Sequence, residues 1–164
     1  MQSRDKTDPP DPYRIKILSE SGISILAIVA FEQRTSLRLP YFATRIPAGF
    51  PSPADDYVED RLDLNELVIK RPASTFFVHA VGNSMRNAGI HDEDILIVDR
   101  GEEAVDRRIV VAVVNGEFTV KRVQRVKGKL FLLPENDAFP PIEITKEMDF
   151  EVWGVVICVL HRLV

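Results

Sequence analysis

The sequence predicts a mainly β domain behind a flexible N-terminal arm. Three observations point there. From Thr75 onward, six runs are rich in β-branched and aromatic residues: Phe76 to Val81, Ile95 to Asp99, Ile109 to Val114, Glu117 to Val126, Leu130 to Leu133 and Phe150 to Leu160. Asn115-Gly116, between the third and fourth runs, is a two-residue hairpin signal that makes those neighbours antiparallel. Residues 1–13, in contrast, are polar and carry Pro9, Pro10 and Pro12, which argues for a disordered start.

The segments between arm and sheet follow in order. Residues 15–31 fit a short helix or a strand, because Gly22 interrupts the pattern and periodicity does not decide. Arg38 to Pro53 contains Pro40, Pro47, Gly49, Pro51 and Pro53, so it stays extended and exposed, as a protease requires of a substrate strand. In Ser52-Pro53-Ala54-Asp55 the serine can cap a helix, the proline suits its first turn and the aspartate favours its dipole, which predicts a short helix to about Asp60. Asp63-Leu64-Asn65-Glu66 is a second helix start, and Pro72 ends that element.

Composition narrows the function classes. At 164 residues the chain suits one domain with a core plus a tail, and 45% hydrophobic against 28% charged residues is a globular balance. A net charge of -4 gives no basic footprint, so strong direct binding to nucleic acid is not expected. Residues 1–48 hold seven Lys/Arg against five Asp/Glu, leaving 14 against 20 for residues 49–164; a mildly basic arm beside an acidic body can dock electrostatically. The single Cys158 sits in the apolar run Val155 to Leu160, excluding a disulfide within the chain and reading as a buried strand cysteine. The apolar stretch Ile23 to Phe31 is far short of the roughly 18 residues of a membrane span. Asp5, Asp8, Asp11 and Glu20 crowd the place where a secretory signal would be basic, so a cytoplasmic protein is expected.

Two polar residues in apolar surroundings carry the chemistry. Ser84 lies in Gly82-Asn83-Ser84-Met85, and Lys121, 37 positions later, lies in Phe118-Thr119-Val120-Lys121. A lysine on a strand is usually solvated; a buried one tends to the neutral amine, a general base that can deprotonate a serine hydroxyl. Strand alternation puts Thr119, Lys121 and Val123 on one face, which by itself leaves Lys121 either buried or solvated. Gly82 permits a close approach of backbone to substrate, and Ser84 falls where a strand gives way to a short helix. Backbone N–H groups around Ser84 and Met85 are then the candidate oxyanion donors.

The stretch Phe77-Val78-His79-Ala80-Val81-Gly82-Asn83-Ser84-Met85, with Ile95 to Asp99 and Gly116-Glu117-Phe118-Thr119-Val120-Lys121-Arg122, resembles the self-cleaving serine peptidases of the LexA/UmuD family. The resemblance implies a fold of twisted antiparallel sheets with short helices, Ser84 as nucleophile and Lys121 as its base. Asn83 departs from the family, where aspartate is common, but leaves that pair intact. The family cleaves its own arm between a small residue and glycine. Ala48-Gly49, followed by Phe50-Pro51-Ser52-Pro53-Ala54, fits that rule and divides the chain into an arm, 1–48, and a peptidase core, 49–164.

Within the family the UmuD type is expected over a LexA-like repressor, because only 48 residues precede Gly49 and a recognition-helix domain needs more; homologues of UmuD such as MucA and RulA are expected as closer relatives. Met85 is the next methionine, so a start downstream of Met1 would use a non-AUG codon. The UmuD type implies a homodimer, self-cleavage stimulated by a RecA filament on single-stranded DNA, and service to a UmuC-like Y-family polymerase in SOS mutagenesis, with no membrane, cofactor or metal. Rival readings are a non-catalytic polymerase-binding module and a peptidase acting on other proteins. A Ser-His-Asp site using His79, His91 or His161 lacks a matching signature, and His91-Asp92-Glu93-Asp94 reads as an acidic solvated turn rather than a metal loop, for want of a second ligand cluster.

Overall fold

A computed structural model describes residues 28–30, 36–42, 49 and 58–163. Its main element is an eight-stranded antiparallel sheet built from β1 (Ile28–Ala30), β4 (Thr75–His79), β5 (Ile95–Asp99), β6 (Ile109–Val114), β7 (Glu117–Val126), β8 (Lys129–Leu133), β9 (Ile142–Ile144) and β10 (Phe150–Leu160). Strand order is β1-β4-β5-β10-β6-β7-β8-β9, so the last strand of the chain lies between β5 and β6 near the middle of the sheet. A separate unit holds β2 (Arg38–Phe42) and β3 (Val58–Asp63), paired antiparallel, and the helix α1 (Leu64–Val68).

Local chemistry explains the strands. Ile109-Val110-Val111-Ala112-Val113-Val114 is apolar throughout because both faces of β6 are covered: Val111 packs with Val78, Leu96, Val98 and Val120, while Val110 and Ala112 pack with Val123, Leu132 and Val155. Asn115 and Gly116, with φ of 51° and 84°, turn the chain into β7 with both residues in the left-handed region, as a type I′ hairpin requires. The long β10 is bent by register shifts between Val152 and Gly154 and between Val156 and Cys158. At Gly154 a Cβ would stand 2.6 Å from Val98 Cγ1, a closeness no side chain tolerates. Trp153 beside it meets the rings of Phe76 and Phe118 and carries the Arg100 guanidinium over its face.

Several expectations need correction. Residues 58–60 are strand, not the end of a helix, because Val58 to Asp63 find backbone partners in β2; residues 52–57 lie outside the described residues. The start at Asp63 is borne out: its carboxylate accepts the Asn65 N–H at 2.8 Å. The helix stops at Val68, well before Pro72. Residues 38–41 are extended and exposed as expected, and Ile28 to Ala30 resolve the open reading of that segment as strand. Cys158 lies on β10 but is half-buried. The expected disorder of residues 1–13 concerns residues outside those described. Among the described residues no helix is long and apolar enough to cross a membrane.

Candidate active site

The two residues singled out by their surroundings are brought together. β4 ends at His79, and the chain then turns through Gly82, whose φ of 96° places it in a region that side-chain-bearing residues rarely adopt. Three hydrogen bonds tie this turn to the segment before β5: Ala80 N–H donates to the Asp94 carbonyl at 2.8 Å, Glu93 N–H to the Ala80 carbonyl at 3.0 Å and Gly82 N–H to Asp92 Oδ1 at 2.7 Å. Ser84 follows, just before the 3-10 turn Arg86–Ala88. The buried side chain of Met85 anchors that turn in the same apolar cluster as Val78, Leu96 and Val120.

Lys121 comes from the middle of β7, opposite Val110. Its Nζ donates to Ser84 Oγ at 2.9 Å, to Thr119 Oγ1 at 3.1 Å and to the Val120 carbonyl at 3.0 Å, which uses all three ammonium hydrogens. Ser84 is 1% and Lys121 6% exposed. No carboxylate is among these partners, so burial acts unopposed and lowers the lysine pKa from 10.5 to about 8. The expectation that Thr119 and Lys121 share a face holds, and it is what lets the hydroxyl reach the amine.

A further group of residues, invisible in the motifs, holds the serine segment from the far side. The Ser84 carbonyl accepts the Glu135 N–H at 2.8 Å, Asn87 N–H donates to the Glu135 carbonyl at 2.8 Å, and Asn136 Nδ2 donates to the Asn83 carbonyl at 2.9 Å. Glu135 is itself ion-paired with Arg122, the residue after the lysine. Pro134-Glu135-Asn136 reads as an ordinary turn after β8; only the folded chain shows that it meets the serine loop.

The histidine alternatives go elsewhere. His79 is exposed at the end of β4, and His161 bonds Asp94. Among the described residues, metal-capable donors gather at His91, Asp94 and His161 rather than around Ser84. Of the expected cleavage pair, Ala48 lies outside the described residues; Gly49 is exposed, and a Cβ built on it would meet nothing within 4 Å.

The buried amine of Lys121 on β7 thus meets the buried hydroxyl of Ser84 in the turn after β4, and residues 40–157 match the family model described as Peptidase S24-like. The chain belongs to the Peptidase S24-like family. Relatives agree. It is 45% identical over 139 residues to Protein SamA of Salmonella typhimurium, covering 84% of this chain and 96% of that protein. It is 42% identical over 119 residues to Protein MucA of Escherichia coli, covering 72% and 81%. Identity to the LexA repressor of Xylella fastidiosa is 39% over 129 residues, which is 79% of this chain but only 60% of the repressor. The likeness to UmuD-type members of the S24 family, and to the MucA group within it, is thereby borne out.

Proposed function

We propose that this S24-family protein is a self-cleaving mutagenesis factor in which Ser84 is the nucleophile, Lys121 the general base and Ala48-Gly49 the scissile bond. The observation that carries the reading is the 2.9 Å contact between a buried amine and a buried hydroxyl, with no carboxylate among the amine's partners in the described residues. With Lys121 neutral, Thr119 Oγ1 and the Val120 carbonyl accept its two N–H bonds and aim the lone pair at the Ser84 proton. Ser84 Oγ then attacks the Ala48 carbonyl carbon, and the negative oxygen is met by backbone N–H groups at Ser84 and Met85. The lysine returns the proton to the Gly49 nitrogen as the peptide bond breaks. Water, deprotonated by the same amine, hydrolyses the Ala48 ester and frees Ser84.

The pairing of β2 with β3 supports the choice of substrate. The two strands flank residues 43–57, so Ala48-Gly49 falls in the connection of an antiparallel ribbon of this same chain. An activator need only favour docking of that connection at Ser84 over its undocked state. On the family likeness the activator is a RecA filament on single-stranded DNA, the working form is a homodimer of the 49–164 core, and its partner is a UmuC-like Y-family polymerase in translesion synthesis.

The test is the intact mass of the purified chain after incubation near pH 10, beside Ser84→Ala and Lys121→Ala. Cleavage between Ala48 and Gly49 in the parent alone is expected. If the parent stays whole there and also with RecA, single-stranded DNA and nucleotide, the chain is a polymerase-binding module rather than a peptidase.

A further inference from the structure

A second cluster of reactive side chains is not used by the peptidase reading. His91 and Asp94 belong to the turn before β5, and His161 directly follows β10. β5 and β10 pair with Ile95 opposite Leu160, so the residues just beyond them, Asp94 and His161, meet although 67 positions separate them. His161 Nδ1 lies 2.5 Å from Asp94 Oδ1. Asp94 Oδ2 accepts the His91 backbone N–H at 2.7 Å and stands 3.7 Å from His91 Nδ1. That ring nitrogen is sealed from solvent without a hydrogen-bond partner among the described residues, which is costly for a polar atom unless something bonds it. The two imidazoles stand 4.9 Å apart, and one donor atom from each of the three residues lies within 4.8 Å of the others.

We propose that His91, Asp94 and His161 form a binding site for a divalent transition-metal ion of the zinc class. Two imidazoles and a carboxylate suit such an ion, whereas calcium and magnesium prefer all-oxygen shells. Tetrahedral ligands at about 2.0–2.1 Å from zinc sit about 3.3 Å from one another, whereas the three donor atoms here spread up to 4.8 Å, so side-chain rotations that draw them together complete the site. The ion takes the place of the hydrogen bond between His161 and Asp94, and each neutral ring binds through Nδ1 with its proton on Nε2. His91 is 43% exposed at its side chain, which leaves an entry path and room for water as a fourth ligand. A His161–Asp94 hydrogen bond that merely pins the end of β10 explains two of the three residues but leaves His91 Nδ1 unbonded.

The site has a mechanical consequence. Its turn is the one that bonds Ala80 and Gly82, so a bound ion braces the segment that presents Ser84. The acidic stretch His91-Asp92-Glu93-Asp94 carries no metal signature of its own; His161, supplied by the far end of the chain, changes that reading.

The experiment uses full-length chain with Ser84→Ala, made without a polyhistidine tag and freed of metal by chelator. It is titrated with cobalt(II), read by its visible absorption, and with zinc by calorimetry. One ion per chain is expected. Affinity should fall by at least roughly tenfold in each of His91→Ala and His161→Ala, the lower bound seen when even an outer-shell partner of a ligand is lost. His79→Ala, on an exposed side chain of β4, should bind as the parent does. Both ligand histidines are partly exposed, so their variants should fold, which circular dichroism checks. No saturable binding at one ion per chain, affinity in either ligand variant equal to the parent's, or a loss in His79→Ala equal to theirs each overturns the site.

Discussion

Lys121 is asked to lose its charge by the place it occupies. Desolvation holds its pKa near 8, so roughly a tenth of the amine is neutral at pH 7 and most of it above pH 9. If it is the base, the self-cleavage rate should rise about tenfold per pH unit below 8 and level off above it; a rate flat from pH 6 to 9 would remove Lys121 from that role. Stability has its own sign. The folded pKa lies below 10.5, so the unfolded chain binds the extra proton between about 8 and 10.5, and the fold gains stability as pH rises through that window. In a Ser84→Ala background, Lys121→Met should therefore be the more stable partner at pH 7, with its advantage shrinking by pH 10 in urea melts. Thr119 aims the amine, and Thr119→Val should slow cleavage about fivefold, the rate equivalent of a ~1 kcal/mol hydrogen bond; an unchanged rate would deny Thr119 that part.

At the scale of elements, β7 and the serine loop do the positioning, while β10 joins the sheet's two halves. Gly154 on β10 lies against Val98 of β5. Gly154→Ala forces its methyl into Val98, which is fully buried, and should cost about 1–3 kcal/mol of unfolding free energy, as overpacking does. Denaturant titration of that variant in the Ser84→Ala background measures it, and a loss under 0.5 kcal/mol, the ordinary reach of a surface substitution, would mean that the strand relaxes there. The Asn115-Gly116 turn shows the opposite case, an element set locally: its dipeptide, its positive φ angles and the register Val114↔Glu117 all agree. β3 shows pairing prevailing at the end of an expected helix: Val58 to Asp60 are strand because β2 offers them a backbone partner, while Ser52 and Pro53 lie outside the described residues.

For the whole molecule, the chain order of the ribbon matters more than any single contact. β2 precedes Ala48-Gly49 and β3 follows it, and β1 also lies in residues 1–48, so cleavage would leave the 1–48 fragment joined to the 49–164 core through β2–β3 and β1–β4 pairing. A two-stranded ribbon is at best marginally stable in water, and β1 adds only three residues at the edge of the large sheet. The fragment should therefore separate from the core in size-exclusion chromatography after cleavage; co-elution of the two pieces would mean that these two pairings suffice to hold the arm.

How much of this the amino-acid order determines depends on the range of the force involved. Strands β5, β6, β7 and β10 were legible to the residue, because period, β-branching and turn chemistry act within a few positions. Ser84 and Lys121 were legible through their motifs and the family likeness, as polar residues in apolar runs. The sequence left open whether Lys121 is buried, and it hid three further facts: that Glu135 and Asn136 clasp the serine segment, that β10 inserts between β5 and β6, and that His161 meets Asp94. Those depend on which strands become neighbours, a choice made by burying both faces of one sheet at once, and only the tertiary structure decides it.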